Sequence, residues 1–210
     1  MDTRRKIYIS LGSNKGDRLK NLQDAINLIF ERIGKINIIS KVYNSPAFGF
    51  EGSDFLNCCV IFETDIAPDE IMLALLEIET SMGRVREANA GYESRTIDLD
   101  ILFVDEDVLE TKLLKVPHPE LHKRKFVLKP LLEIAPKLTH PTLHKNVYDL
   151  LETCEDTSVL EPINIWLKNP SKQFQFSHYN YIAIEGNIGA GKTSLATMIS
   201  KDFNAKLILE

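Results

Sequence analysis

Apolar positions follow two alternating periods along most of the chain. Residues 6–11 (KIYISL) make a short apolar run that stops at Gly12-Ser13-Asn14, as a strand entering a turn does. From Asp17 the period lengthens: Leu19, Leu22, Ile26, Ile29, Phe30 and Ile33 fall on one helical stripe, with Gly34 at the stop position. Residues 36–43 return to β-branched, strand-like sequence and run into Asn44-Ser45-Pro46-Ala47-Phe48-Gly49, a loop marked by its proline and glycine. Residues 55–64 (FLNCCVIFET) are apolar enough for a central strand. Residues 68–82 predict a second helix, with Pro68 in the first turn, Ile71, Leu75 and Ile78 on its inner face and Gly83 closing it. Residues 98–104 (DLDILFV) predict the next strand. The order is β-α-β-β-α-β, which predicts an α+β fold: a ferredoxin-like split βαβ antiparallel sheet with helices packed on one face.

Residues 126–135 read as a short apolar helix ended by Pro136, and residues 148–154 as a further helical turn. The first domain is expected over residues 1–165. Residues 166–178 read as a linker, since their end (KNPSKQFQFSH) is polar, proline-bearing and short of aliphatic residues. The pattern then changes. Residues 179–185 (YNYIAIE) predict a strand, the next eight residues (GNIGAGKT) fit G-x-x-x-x-G-K-[ST], and residues 194–203 continue as a helix. That context is a P-loop, so residues 179–210 are expected to be the first β-α-β piece of a P-loop α/β domain. Gly186, Gly189 and Gly191 would let backbone N–H groups cradle phosphates, Lys192 would neutralise them, and Thr193 would reach Mg²⁺.

Composition narrows the class without naming it. A chain of 210 residues, 44% hydrophobic and 26% charged, is long enough to bury one full core and part of a second. Its net charge of −5 supplies no general basic field, so no nucleic-acid partner is expected. No apolar run approaches the ~20 residues that span a bilayer, and the first residues lack the apolar core of a signal peptide. A cytoplasmic protein with no membrane partner is expected. Cys58 and Cys59 adjoin on a strand and Cys154 stands far away, which is neither a disulfide framework nor a zinc spacing.

The candidate chemistry sits in residues 84–100, RVREANAGYESRTIDLD. Asp98 and Asp100 stand two apart on a predicted strand, so both carboxylates project from one face. Such pairs hold Mg²⁺, an ion that keeps several waters and shares its remaining positions with phosphates. Arg84, Arg86 and Arg95 supply guanidinium forks that match phosphate oxygens. The alternative is an ordinary solvated strand face paired with nearby arginines. Asn57, a polar amide in an apolar strand, reads equally as an amide satisfied by backbone or as a hydrogen-bonder at a pocket edge. The His118/His122 and His140/His144 pairs have helical metal-ligand spacing. Each carries a proline after its first histidine and no accompanying Cys or Glu set, which disfavours zinc.

The motifs LGSN, YNSPAFG, FLN, GRVR, SRTIDLDILF and VPHPELHKRKFVLKPLLEIAP together closely resemble 6-hydroxymethyl-7,8-dihydropterin pyrophosphokinase, over residues 8–136. The resemblance implies transfer of pyrophosphate from ATP to a pterin hydroxymethyl group in folate biosynthesis. It implies that Asp98 and Asp100 hold two Mg²⁺ ions and that Arg84 and Arg95 stabilise the transferring group. His118 and Arg124 would lie on the phosphate side, and Glu79 and Arg86 on the ATP side. Phe55 and Phe126 would sandwich the pterin, Asn57 would read its polar edge, and Ser45, Pro46 and Phe48 would complete the pocket. The first domain is expected to be a monomer acting on small molecules. Around Tyr92 the chain departs from the family pattern, having one residue more before Arg95. From Tyr181 onward, IEGNIGAGKT resembles the deoxynucleoside kinases, which implies a truncated two-enzyme fusion, with Glu210 corresponding to that family's general base. Two rivals stand beside this reading. One is that the nucleoside kinase is the main activity of a longer parent. The other is a non-catalytic ferredoxin-like binding module, against which the acidic pair on the sheet argues.

Overall fold

The computed structural model describes residues 4–84, 93–172, 181–187, 189–202 and 205–208. The chain divides into two compact units, Met1–Ser171 and Lys172–Glu210. The first unit opens with β1 (Arg5–Ser13), α1 (Arg18–Arg32), β2 (Lys35–Ile39), β3 (Tyr43–Ser45), β4 (Phe55–Thr64), α2 (Pro68–Ser81) and β5 (Asp98–Val104). A two-stranded hairpin of β6 (Leu109–Glu110) and β7 (Lys115–Val116) follows, then α3 (Lys125–Ile134), α4 (Val147–Glu152) and β8 (Glu161–Pro162). All pairings in the main sheet are antiparallel, in the order β5-β1-β4-β3-β8, with β2 also paired to β4.

Local chemistry explains the element ends. Asp17 caps α1 by accepting the Lys20 N–H at 3.0 Å. Pro68 starts α2, where a missing N–H costs nothing, and Asp69 and Glu70 complement its positive end. The predicted strand over residues 36–43 is two strands. β2 pairs with Val60–Glu63 and β3 with Phe55–Asn57, so the two meet different lengths of β4. Between them Ser40 bonds the Cys59 backbone both ways, each at 2.9 Å. Gly34 is required by close approach, because a Cβ there would lie 2.3 Å from the Glu63 carbonyl oxygen. Phe30 is 38% exposed, and Ala25 takes its place in the buried stripe of α1 with Leu22, Ile26 and Ile29.

The main correction concerns the faces of the sheet. Leu56, Cys58, Val60 and Phe62 of β4 join Ile7, Ile9 and Leu11 of β1 and Leu99 and Ile101 of β5 against α1 and α2. Cys59 and Ile61, with Tyr8, Leu102 and Phe103, form a second core against α3 and α4. Helices therefore cover both faces instead of one, because nearly every position of β4 is apolar and neither side can be left in water. The start of the expected linker is bonded to the first unit. Lys168 bonds Gln23 of α1 in both directions, at 2.7 and 3.0 Å, and Ser171 accepts the Ile36 N–H at 2.8 Å. Residues 168–171 are thereby tied to the first unit by backbone and side-chain bonds that composition does not reveal.

In the second unit, α5 (Lys192–Asp202) forms where the helix was expected. Tyr181–Glu185 carries no strand, contrary to expectation, since a strand requires a neighbour for its backbone groups and none pairs with it among the described residues. Residues 179–180, 188 and 210 lie outside the described residues. Among the described residues no helix is long and apolar enough to cross a membrane.

The second core makes a checkable demand. Leu131 of α3 is fully buried, so Leu131→Ala should lower stability by about 2–5 kcal/mol. Urea unfolding of the two proteins measures it. A change below ~1 kcal/mol would mean that α3 is not part of a close-packed core.

Candidate active site

One face of the sheet carries the site. In the registers of β1, Ser10 lies opposite Asp100, and Gly12 opposite both Asp98 and Asn57. Successive side chains on a strand alternate in direction, so Ser10, Gly12, Asn57, Asp98 and Asp100 share the face that α3 covers. At that end of the face small and polar residues replace the apolar ones, leaving a cleft between the sheet and α3. Asn57, Asp98 and Asp100 line its floor, and Ser45, at the end of β3, lines its side. Pro46 and the aromatic rings of Phe48, Phe50, Phe55 and Phe126 form its walls, with Arg95 and Arg124 at its polar side. Most of the expected residues are thus brought into one cleft, while Glu79, Arg84 and His118 are not among those that line it.

The aromatic rings already meet in pairs. Phe48 and Phe126 stand with centroids 5.8 Å apart at 53°, and Phe50 and Phe55 at 6.2 Å and 86°. Asn57 is buried and donates to Ser45 Oγ at 2.8 Å. A Cβ at Gly12 would lie 3.0 Å from Asn57 Oδ1, so glycine preserves room for the amide oxygen. Ser10, Gly12 and Phe50 were not anticipated as site residues. The available signal was Ser10 and Gly12 standing two apart in an otherwise apolar strand.

Arginines meet both acids. Asp98 accepts from Arg84 at 2.5 Å on Oδ1 and from Arg95 at 2.9 Å on Oδ2. Arg124 lies 3.5 Å from Asp100. Glu79 is 1% exposed; its Oε1 accepts from Arg84 and, at 2.8 Å, from the Leu99 N–H of β5. It is placed behind Arg84 and away from the open cleft. Burial, reinforced by the Asp98 charge and opposed by Arg124, raises the pKa of Asp100 to about 6. His118 follows a cis Val116–Pro117 bond. Its backbone donates to the Leu102 carbonyl at 2.9 Å, and its Nδ1 accepts the Glu120 N–H at 3.1 Å, which leaves the proton on Nε2. Burial, then the Arg124 charge, lowers its pKa to about 4, so the ring is neutral at pH 7. Arg86 and Tyr92 lie outside the described residues.

Asn14 fastens the loop carrying Arg95. Its Oδ1 accepts the Arg95 N–H at 2.7 Å, its N–H donates to the Arg95 carbonyl at 3.1 Å, and its Nδ2 reaches Ser53 O and Ser94 Oγ, both at 3.1 Å. In the second unit, the glycine loop curls with positive φ at Gly189 and Gly191, and Lys192 Nζ donates to the Gly186 and Asn187 carbonyls at 2.5 and 2.9 Å. Thr193 lies in the first turn of α5.

Residues 8–136 match the family described as 7,8-dihydro-6-hydroxymethylpterin-pyrophosphokinase. The chain is 44% identical over 140 residues to a 2-amino-4-hydroxy-6-hydroxymethyldihydropteridine pyrophosphokinase of Aquifex aeolicus, covering 66% of this chain and 86% of that protein. The protein of the same name from Synechocystis is 39% identical over 152 residues, covering 72% and 77%. A folic acid synthesis protein of Pneumocystis carinii is 34% identical over 174 residues, 82% of this chain but 23% of that protein. Among solved structures, a Plasmodium falciparum HPPK-DHPS superposes with a TM-score of 0.60 at 16% identity, over 71% of this chain and 45% of that one, which shows a shared fold. The chain spans less than half the length of that solved chain.

The raised pKa of Asp100 has a stability consequence. The fold binds a proton at Asp100 more tightly than the unfolded chain does, whose carboxylate keeps its ordinary value of 3.8. The stabilising effect of that proton is present at low pH and is lost as pH rises from 3.8 to about 6. In metal-free buffer Asp100→Asn should therefore exceed the unsubstituted protein in stability at pH 7 by about 1 kcal/mol, a value reduced for partial exposure. The gap should close toward pH 4. Thermal melts across this range in EDTA measure it, and a pH-independent difference would remove the strain assigned to Asp100.

Proposed function

The chain belongs to the 7,8-dihydro-6-hydroxymethylpterin-pyrophosphokinase family and transfers pyrophosphate from ATP to hydroxymethyldihydropterin in folate synthesis, and we propose that it does so by direct, Mg²⁺-assisted in-line transfer in the cleft beneath α3. The observation that carries this reading is the shared lining: Asp98, Asp100, Asn57, Phe55 and Phe126 face one space. The donor set fits Mg²⁺. Two carboxylates stand on one strand face, and among the described residues no third His, Cys, Asp or Glu joins them, which leaves positions for water and phosphate oxygens. The raised pKa of Asp100 is the electrostatic cost that a divalent cation offsets.

Asp98 and Asp100 would hold the two ions, which when bound neutralise the triphosphate and activate its β-phosphorus. Every other task falls to the side chains. Arg84 and Arg95, paired with Asp98 in this structure, exchange that carboxylate for phosphate oxygens and stabilise charge developing on the transferred group. Glu79 keeps Arg84 aimed while this exchange occurs. Neutral His118 donates from Nε2 to a phosphate oxygen, and Arg124 approaches from the α3 side. The pterin stacks between Phe55 and Phe126, an arrangement that requires the present ring pairs to part. Ser45 and Asn57 bond its polar edge, while Pro46 and Phe48 exclude water. Arg86 belongs to the ATP side in this reading. The group is transferred without a covalent enzyme intermediate, so positioning supplies most of the acceleration.

The first unit is read as a cytoplasmic monomer acting on small molecules, with no nucleic-acid or membrane partner. Residues 179–210 are read as a P-loop segment like that of the deoxynucleoside kinases. Its support is the motif Gly186, Gly189, Gly191, Lys192 and Thr193, followed directly by a helix.

Substituting either aspartate by alanine should reduce pterin-dependent AMP formation by about 10²–10³-fold or more. Asp107→Asn, at a surface pair with Arg5, should leave turnover unchanged. Retained turnover in Asp98→Ala and Asp100→Ala would remove the metal assignment.

A further inference from the structure

The first turn of α3 is capped from outside its own sequence. Arg124 occupies the N-cap position without making a side-chain cap bond, because a guanidinium has no acceptor to offer a backbone N–H; it lies 3.5 Å from Asp100 instead. The exposed Lys125 N–H instead donates to Asp156 Oδ2 at 3.0 Å, across 31 residues of sequence. Asp156 Oδ1 accepts the Ser158 N–H at 2.9 Å, and Lys125 Nζ returns a bond to the Ser158 carbonyl, also at 2.9 Å. The residues on either side of Lys125 are Arg124 and Phe126, and both line the cleft.

The same segment then reaches the opposite wall. Glu161 and Pro162 of β8 pair with Asn44 and Tyr43 of β3, and the Ile163 N–H donates to the Val42 carbonyl at 2.9 Å. β3 ends in Ser45, the acceptor for Asn57. A stretch of eight residues is thus bonded to the helix start that carries Phe126 and to the strand that carries Ser45. It lies outside residues 8–136, the part of the chain that the family model matches.

We propose that residues 156–163 brace both walls of the pterin cleft, and that Asp156 is a positioning residue for Phe126. This rests on the pyrophosphokinase reading of the cleft. The carboxylate at the α3 N-terminus opposes fraying of the turn on which Phe126 stands, and the β8 pairing keeps β3 from drifting away from it. Loss of the brace widens the slot that a flat heteroaromatic must fill. It leaves Arg84 and Arg95 untouched, since neither is on α3 or β3.

The test is steady-state kinetics of AMP formation by the full chain, comparing Asp156→Ala, Asp156→Asn and Ile163→Pro with the unsubstituted protein. Asp156→Ala should raise the pterin KM about 10-fold and change the ATP KM by less than about twofold. Asp156→Asn, which keeps one acceptor for the Lys125 N–H, should recover the pterin KM to within about threefold of normal. Ile163→Pro removes the donor to Val42 and should raise the pterin KM alone, which decides the matter even if Asp156→Ala does not fold. An unchanged pterin KM, or equal losses for both substrates with no recovery in Asp156→Asn, would overturn the brace. Absence of pterin-dependent AMP from the unsubstituted chain would overturn the pyrophosphokinase reading instead, and the brace with it.

Discussion

The repulsion between Asp98 and Asp100 sets the terms for the structure around them. Two carboxylates on one strand face, close to a packed helix, are tolerated only with cations nearby. Arg84 and Arg95 meet Asp98 on separate oxygens, and Arg124 approaches Asp100 from α3. These contacts draw distant parts of the chain together. Arg84 also neutralises Glu79, a carboxylate 1% exposed on α2. A charge so deeply buried would be costly alone, but here it accepts from both Arg84 and the Leu99 backbone. The electrostatics of the acidic pair therefore reach into the packing of α2 against β5.

The sheet makes this arrangement possible by having two differently finished faces. Against α1 and α2 the side chains are uniformly apolar and closed. Against α3 they are apolar at one end and small or polar at the other. The change occurs within single strands, for example between Cys59 and Asn57 of β4, and between Leu102 and Asp100 of β5. Because strand side chains alternate, a one-residue slip would carry Asp98 and Asp100 into the apolar core. The cost of that slip fixes the register, and the register fixes the site.

Much of this was legible in the sequence. The alternation of periods two and 3.6 located β1, α1, β4, α2 and β5, and the i, i+2 spacing placed both aspartates on one face. Asn57 stood out as an amide in an apolar strand. What escaped were features that depend on partners distant in sequence. Ser10 and Gly12 matter through their neighbours Asp100, Asp98 and Asn57 across the sheet; their i, i+2 spacing marked a non-apolar face of the strand but not those partners. The second covered face was hidden because a strand apolar on both sides shows no alternation. Among the described residues the strand expected before Lys192 does not form at 181–185 for a related reason, since their sequence favours extension but no described residues pair with them. Asp156 gave no signal, because a cap supplied across 31 residues has no spacing rule.

Charge balance in the cleft bears on how many ions the reading requires. Among the described residues three carboxylates, Glu79, Asp98 and Asp100, are met by three guanidinium groups, Arg84, Arg95 and Arg124. The site is thus close to neutral before substrate enters. A fully ionised triphosphate brings about four negative charges, and one divalent cation would leave about half of them uncompensated in a partly buried space. In the proposed reading two such ions would restore neutrality, and Arg84 and Arg95 would then be available to the phosphate oxygens. In that reading the exchange of partners would conserve charge while moving the guanidinium groups from a ground-state carboxylate to the transferring group. That differential is the form of stabilisation that accelerates a reaction rather than merely tightening binding.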